Sequence, residues 1–150
     1  MTTINLISKI NASKQIVFDL ARNIDVHQNS ASKTNEKAIA GITSGLINSN
    51  ETVTWKGKHF GIYLTHTSKI TEMELYDYFA DEMIHGNFKS FKHEHSFIEK
   101  NGKTVMIDNL IYETPFGFFG KLFDRLILKK HMTNFLKTRN AVLKKLAENQ

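Results

Sequence analysis

The chain has no cysteine, one proline and one tryptophan in 150 residues. Lack of cysteine excludes disulfides, thiolate metal sites and thiol nucleophiles. No stretch of about 18 apolar residues occurs, so no transmembrane helix is expected. Met1 to Ile10 lacks a basic start followed by an apolar run, so no signal peptide is read, and the cytoplasm is the expected location. There is no internal repeat, linker or low-complexity tract. Gly-rich phosphate loops, paired-carboxylate motifs and a G-x-S-x-G context for serine are also missing.

Apolar residues make up 41% of the chain, with 11 Phe and 4 Tyr. That is enough to build one core in a single domain over 1–150. The net charge of +5 and pI near 9.4 weakly favour anionic partners. The densest basic group is Lys129, Lys130 and His131, followed by Lys137, Arg139, Lys144 and Lys145, and it reads as a solvated helix face. Basic residues are not interleaved with aromatics, so nucleic acid is not an expected partner. A transient contact with an anionic membrane surface fits the charge better.

The pattern predicts a strand over 2–10, a helix over 13–22 entered through Asn11-Ala12-Ser13, and a short polar helix over 25–33. Residues 36–47 are apolar, and Gly41 and Gly45 mark a bend or bulge in a curved sheet. Strands rich in Thr, Val, Ile, Tyr and Phe follow at 51–60, 62–72 and 74–84, and Gly86-Asn87 is a turn. Asn101-Gly102 is a type I′ turn dipeptide between extended runs. A two-residue loop there pairs Lys100 with Lys103. Counting back pairs Phe97 with Met106, His95 with Asp108, His93 with Leu110 and Phe91 with Tyr112. Alternation puts these eight on one face, read as the inner one.

Pro115 ends the last strand. A helix is expected from the Phe116–Gly120 stretch to about Ala147, with Leu122, Phe123, Leu126, Ile127, Met132, Phe135, Leu136, Val142, Leu143 and Leu146 on one stripe. At about 28 residues it is roughly 40 Å long, and its greasy face is expected to be clasped by the sheet. Strands followed by a terminal helix make the fold class α+β.

Together these residues resemble the START-like, or SRPBCC, superfamily, and within it the polyketide cyclase/dehydrase-like ligand-binding proteins. The resemblance rests on Ile10-Asn11-Ala12-Ser13, Val17-Phe18 and Asp25; on Trp55, Gly61 and Ile70-Thr71-Glu72; on Phe79, Asp81, Gly86, Phe88, Phe91, His93, His95 and Phe97; and on Thr104, Met106, Asp108, Tyr112, Pro115, Gly117, Gly120 and Arg139. Ser13 stands where the family has proline, and a second usual proline is missing near Leu75. The resemblance implies a helix-grip fold, a curved antiparallel sheet around a long C-terminal helix, with a cavity for a lipid, polyketide or quinone-like molecule. It does not imply a reaction.

Three constellations could carry chemistry. His93, His95 and Asp108 could be a polar set fixing strand register, a ligand contact, or, as His95 with Asp108, an acid–base pair. The same His-x-His could bind a metal with Asp108 as third donor and His59 or His66 as unplaced additions, but neither metal nor cofactor is expected. Arg139 falls on the apolar stripe and must pair with Asp108 or Asp81, anchor a ligand anion, or reach water. The aromatics Phe79, Phe88, Phe91, Phe97, Tyr112, Phe119, Phe123 and Phe135, with Met106, serve as core and pocket lining together. The expected function is binding of a hydrophobic small molecule. The alternatives are a cyclase, aromatase or hydrolyase using the His95–Asp108 pair, and an interaction protein, which an exposed apolar patch outside the cavity would favour.

Overall fold

The computed structural model describes residues 1–150. The chain runs β1 (Thr2–Ile10), α1 (Lys14–Ala21), α2 (Ile24–Ser30), a 3-10 turn (Ser32–Thr34), β2 (Lys37–Gly41), β3 (Thr52–His59), β4 (Ile62–Glu74), β5 (Tyr78–His85), β6 (Ser90–Lys100) and β7 (Lys103–Glu113). It ends in α3 (Gly117–Phe123), a π turn (Asp124–Leu128) and α4 (Lys129–Glu148). The seven strands form one sheet ordered β1-β7-β6-β5-β4-β3-β2, with every pair antiparallel.

Local chemistry sets the boundaries. The Ser13 hydroxyl accepts from the Ile16 amide at 3.5 Å and caps α1, which turns Val17, Phe18 and Ala21 inward. The Asn23 side chain accepts from the Asp25 and Val26 amides at 2.9 and 3.1 Å and starts α2. The apolar segment 36–47 is a strand only as far as Gly41. There φ is +71°, and an added Cβ would lie 2.2 Å from the Thr52 carbonyl oxygen, so only glycine lets the chain leave the sheet. The break expected at residue 73, between the strands read at 62–72 and 74–84, moves to Leu75–Asp77 between β4 and β5. Two register shifts between β4 and β5 bend the sheet, as bulges do.

The β6–β7 hairpin has the expected register, from Lys100 opposite Lys103 to Phe91 opposite Tyr112. Its aromatic face is the inner one: Phe97, His95, His93, Met106, Asp108, Leu110 and Tyr112 are buried, while Ile98 on the other face is exposed. Leu143 of α4 joins Phe18, Phe79, Phe97 and Met106 in the larger core cluster. Leu136 joins Leu110, Tyr112 and Leu128 in the smaller one.

The terminal helix corrects one expectation. The apolar stripe is clasped from Leu128 to Leu143, and Leu146 near the end of α4 is exposed. Ahead of Leu128, Phe118, Phe119, Leu122, Phe123, Leu126 and Ile127 are exposed, Phe119 at 75% and Leu126 at 66%. The π turn gives the reason. Its wider winding buries Asp124, which accepts from the Tyr112 hydroxyl at 2.5 Å and from the Thr2 hydroxyl. That anchor holds the helix to the sheet by its polar side and leaves its apolar side outward. Gly120 permits the close start: an added Cβ would overlap the Pro115 carbonyl oxygen at 1.8 Å.

Candidate functional site

Between sheet and α4 lies a cavity of about 200 Å³, half of whose 30 lining residues are hydrophobic. Its apolar wall includes Ile24, Ile47, Trp55, Ile70, Phe79 and Phe91. Six of the seven histidines line it, all but His85. They gather with acids at two poles.

The inner pole is built by sheet register. Asp81 on β5 sits opposite His93 on β6, and His95 sits opposite Asp108 on β7. His95 Nε2 lies 3.4 Å from Asp81 Oδ2, and its Nδ1 lies 2.8 Å from Asp108 Oδ1. The second contact is close but off-axis, so Nδ1 has no aligned hydrogen-bond acceptor. His93 Nε2 donates to the same Asp108 oxygen at 3.1 Å, since an ionised carboxylate can only accept. Asn140 Nδ2 donates to the other Asp108 oxygen at 2.6 Å. Arg139 lies 4.0 Å from Asp108 and donates to the Ala21 carbonyl at 3.1 Å. The Ser68 hydroxyl donates to Asp81 at 3.2 Å and lies 3.0 Å from His66 Nε2.

These contacts set the charges. Burial pushes Asp108 upward, but the hydrogen bond from His93, the close contact of His95 and the charges of both rings outweigh it and hold the carboxyl well below its usual range. Burial also works against Asp81, and contact with His95 followed by the charges of His93 and His95 brings it down to about 2. His93 is lowered to about 4, first by burial and then by the neighbouring His95 charge. His95 moves the other way: burial opposes its charge, but Asp108 and Asp81 on either side overcome it. The pole therefore holds two carboxylates, a neutral His93 and a His95 that favours positive charge.

The outer pole joins elements far apart in sequence. Glu36, just after the 3-10 turn, contacts His27 Nε2 of α2 at 2.8 Å, and His59 Nε2 of β3 lies 3.9 Å from its other oxygen. His59 Nδ1 meets His131 Nε2 of α4 at 3.0 Å. Burial raises Glu36, but its hydrogen bond to His27 and the charges of His27, His59 and His66 lower it overall. Gly57 leaves room for this carboxylate; an added Cβ there would lie 3.2 Å from it. His27 stacks on Trp55 with centroids 4.1 Å apart.

Of the residues singled out in the sequence, Phe79, Phe91, His93, His95, Phe135 and Arg139 line the cavity. Phe97, Met106, Asp108 and Tyr112 are buried behind its wall, because their positions on β6 and β7 pack against α1 and α4. Phe123 lies outside, edge-on to Phe60 at 5.5 Å. Arg139 combines the expected proximity to Asp108 with a place in the cavity wall. Asp81, named in the sequence as part of the family resemblance and as a possible partner for Arg139, and Glu36, His27, His59, His66 and His131 belong to the poles. Glu36 and His27 carry no signal of their own in the sequence, and nothing in it places His59, His66 or His131 near them.

The architecture has many solved counterparts. A START superfamily protein from Mycobacterium smegmatis superposes with a TM-score of 0.73 at 11% identity, covering 98% of this chain and 97% of that one. This chain has the helix-grip fold of START and Bet v1-like proteins. Ginseng major latex-like protein 151 from Panax ginseng gives a TM-score of 0.67 at 14% identity, with 97% of each chain covered. The Zhui aromatase/cyclase from Streptomyces gives 0.69 at 7% identity, over 97% of this chain and 95% of that one. At these identities the likeness concerns the fold. No protein-family profile and no curated protein sequence matches the chain. No helix is long and apolar enough to cross a membrane.

Proposed function

We propose that the protein holds a compact hydrophobic molecule bearing polar groups. The observation that carries this reading is the apolar-walled cavity with buried acid–histidine pairs at both poles. A dry cavity of about 150 Å³ accommodates one benzene. About 200 Å³ thus suits a small ring system or short chain more than a long lipid. Trp55, the only tryptophan, lines the cavity and serves as reporter. Titration with naphthols, short quinones and medium-chain acids should change its fluorescence, and native mass spectrometry of purified protein should reveal a small adduct. Loss of neither signal on blocking the cavity with Ile70→Trp, in a variant that keeps its fold by circular dichroism, would refute the reading.

A second reading makes His95 an acid–base group oriented by Asp108, favoured by their 2.8 Å separation and by the position of His95 in the cavity wall. Among compounds that bind, turnover lost in His95→Gln would support it. Turnover unaffected by that change would remove it.

The exposed face of α3 and the π turn fits contact with an anionic bilayer. Between Phe116 and Lys130 the exposed charges are Lys121, Arg125, Lys129 and Lys130, all basic, while the one acid, Asp124, is buried. Exposed Phe and Leu beside basic residues are the composition of an interfacial helix. The face adjoins the cavity, since Phe60 lines it and packs on Phe123. Sedimentation with phosphatidylglycerol-containing vesicles, weakened by salt and by Phe118→Ser with Phe119→Ser, is expected. A dimer in solution that hides this face, or no vesicle binding at low salt, would overturn it.

A further inference from the structure

We propose that Asp81, His93 and His95 form a binding site for one divalent transition-metal ion, opening onto the cavity. The inference goes beyond the cargo reading and stands on the side chains alone.

One donor atom from each residue can be chosen so that all three lie within 4.8 Å of one another. His95 Nε2 and Asp81 Oδ2 are already 3.4 Å apart. Two ligands each about 2.1 Å from a zinc ion, at a tetrahedral angle, lie roughly 3.4 Å apart. That pair therefore needs no rearrangement, and His93, whose ring centroid lies 3.9 Å from that of His95, has only to close in. Both histidines are buried, so a small set of rotations is available to them and little side-chain freedom remains to be lost.

The shell behind the donors points the same way. Histidine ligands usually carry a carboxylate on the nitrogen that does not bind the metal, which fixes the ring and its tautomer. Asp108 stands in that position for both rings. It receives His93 Nε2 and lies against His95 Nδ1, leaving His93 Nδ1 and His95 Nε2 as the free donors. Asn140 donates to the Asp108 oxygen that the histidines do not contact, and Arg139 lies 4.0 Å from the one they share. The Ser68 hydroxyl holds the Asp81 oxygen that is not near His95. A site made only to fix strand register would need one such partner per ring, and the carboxylate on the cavity side would be redundant.

Charge agrees with geometry. Two carboxylates flank His95, and Arg139 near Asp108 is the one permanent cation beside them. A divalent ion takes over the positive charge that the position between the carboxylates attracts. Two imidazoles and one carboxylate suit Zn²⁺ or Fe²⁺. All three residues line the cavity, which has room beside them for a water or a ligand oxygen of the kind that completes such sites.

The test uses metal alone on chelator-treated full-length protein. Zn²⁺ should bind at one ion per chain by calorimetry and raise the melting temperature, and Co²⁺ should give visible ligand-field bands of a low-coordinate nitrogen–oxygen site. Asp81→Asn and His95→Gln should each weaken affinity at least about tenfold, and Asn140→Ala, acting through Asp108, should weaken it by about the factor of 10–100 typical of outer-shell partners. His59→Ala with His131→Ala, which removes the other close histidine pair, should leave affinity unchanged. Circular dichroism identifies any variant that fails to fold, and the wild-type stoichiometry and Co²⁺ spectrum decide the matter without it. The proposal fails if wild-type protein takes up no metal, if Asp81→Asn binds as tightly as wild type, or if the His59–His131 variant is the one that loses binding. None of these readouts requires a hydrophobic ligand, so failure here leaves the cargo reading standing, and the reverse holds.

Discussion

Replacing Asp108 with asparagine separates a structural network from a decorative one. The carboxylate has no exposed surface and receives hydrogen bonds from His93 at 3.1 Å and Asn140 at 2.6 Å, with His95 Nδ1 at 2.8 Å and Arg139 at 4.0 Å beside it. An amide keeps one acceptor oxygen but turns two N–H donors toward a shell made almost wholly of donors. Hydrogen bonds to a charged group contribute about 1.5–3 kcal/mol each. Summing two of them overstates the loss, because His95 keeps Asp81 and Arg139 keeps the Ala21 carbonyl. Removing one member of a buried ion pair costs about 3–5 kcal/mol, and the Asp108→Asn effect should fall in that range. For a chain of this length it corresponds to a fall in melting temperature of roughly 10 °C or more. Urea unfolding in the presence of chelator, followed by Trp55 fluorescence and by circular dichroism, measures it. A loss below about 1 kcal/mol would refute the assignment of Asp108 as the charge that holds both imidazoles.

Leu143→Ala removes a fully buried side chain from the core cluster that holds Phe97 and Met106 and should cost about 2–5 kcal/mol in the same unfolding experiment. Gly120→Ala should destabilise strongly and alter near-ultraviolet circular dichroism, because the obstacle to its Cβ is the Pro115 backbone rather than a movable side chain. Glu36 has its folded pKa below the usual value because His27, His59 and His66 lie around it. It therefore contributes stability that is present above its unfolded pKa and is lost as pH falls through the lower folded value, and Glu36→Gln should flatten the acid limb of a stability–pH profile. A slope unchanged in that variant would remove Glu36 from the acid response.

The parts of the site that could be read from the sequence are those whose register can be counted. Asn101-Gly102 fixes a two-residue turn, so His95 opposite Asp108 follows from arithmetic, and the inner face follows from alternation. Asp81 lies one strand further away. It cannot be reached by counting, because Gly86–Lys89 is no tight hairpin turn and β4 and β5 are out of step twice. The outer pole needs α2, the segment after the 3-10 turn, β3 and α4 to meet, and no local pattern encodes such a meeting. For the terminal helix, a 3.6-residue apolar period states that one face avoids water. It does not state what covers that face, and here the π turn, which depends on Asp124 finding Tyr112 and Thr2, turns part of it away from the sheet.

The inner pole also shows why its polar groups are hard to account for by stability alone. A buried ion network can often be replaced by apolar residues of similar volume with no loss of stability, and the neighbouring wall is already built of Phe79, Phe91 and Ile70. The network is layered instead. Asp108 and Asn140 stand behind the cavity wall, with the Arg139 guanidinium beside them, and fix the imidazoles. His93, His95 and Asp81 stand in the wall, with one donor atom of each within 4.8 Å of the others. Fold stability would be served by the rear layer closing on itself. A front layer of three convergent donors, held rigid from behind and facing an apolar cavity, is placed for a group that enters that cavity and needs an electrically defined seat.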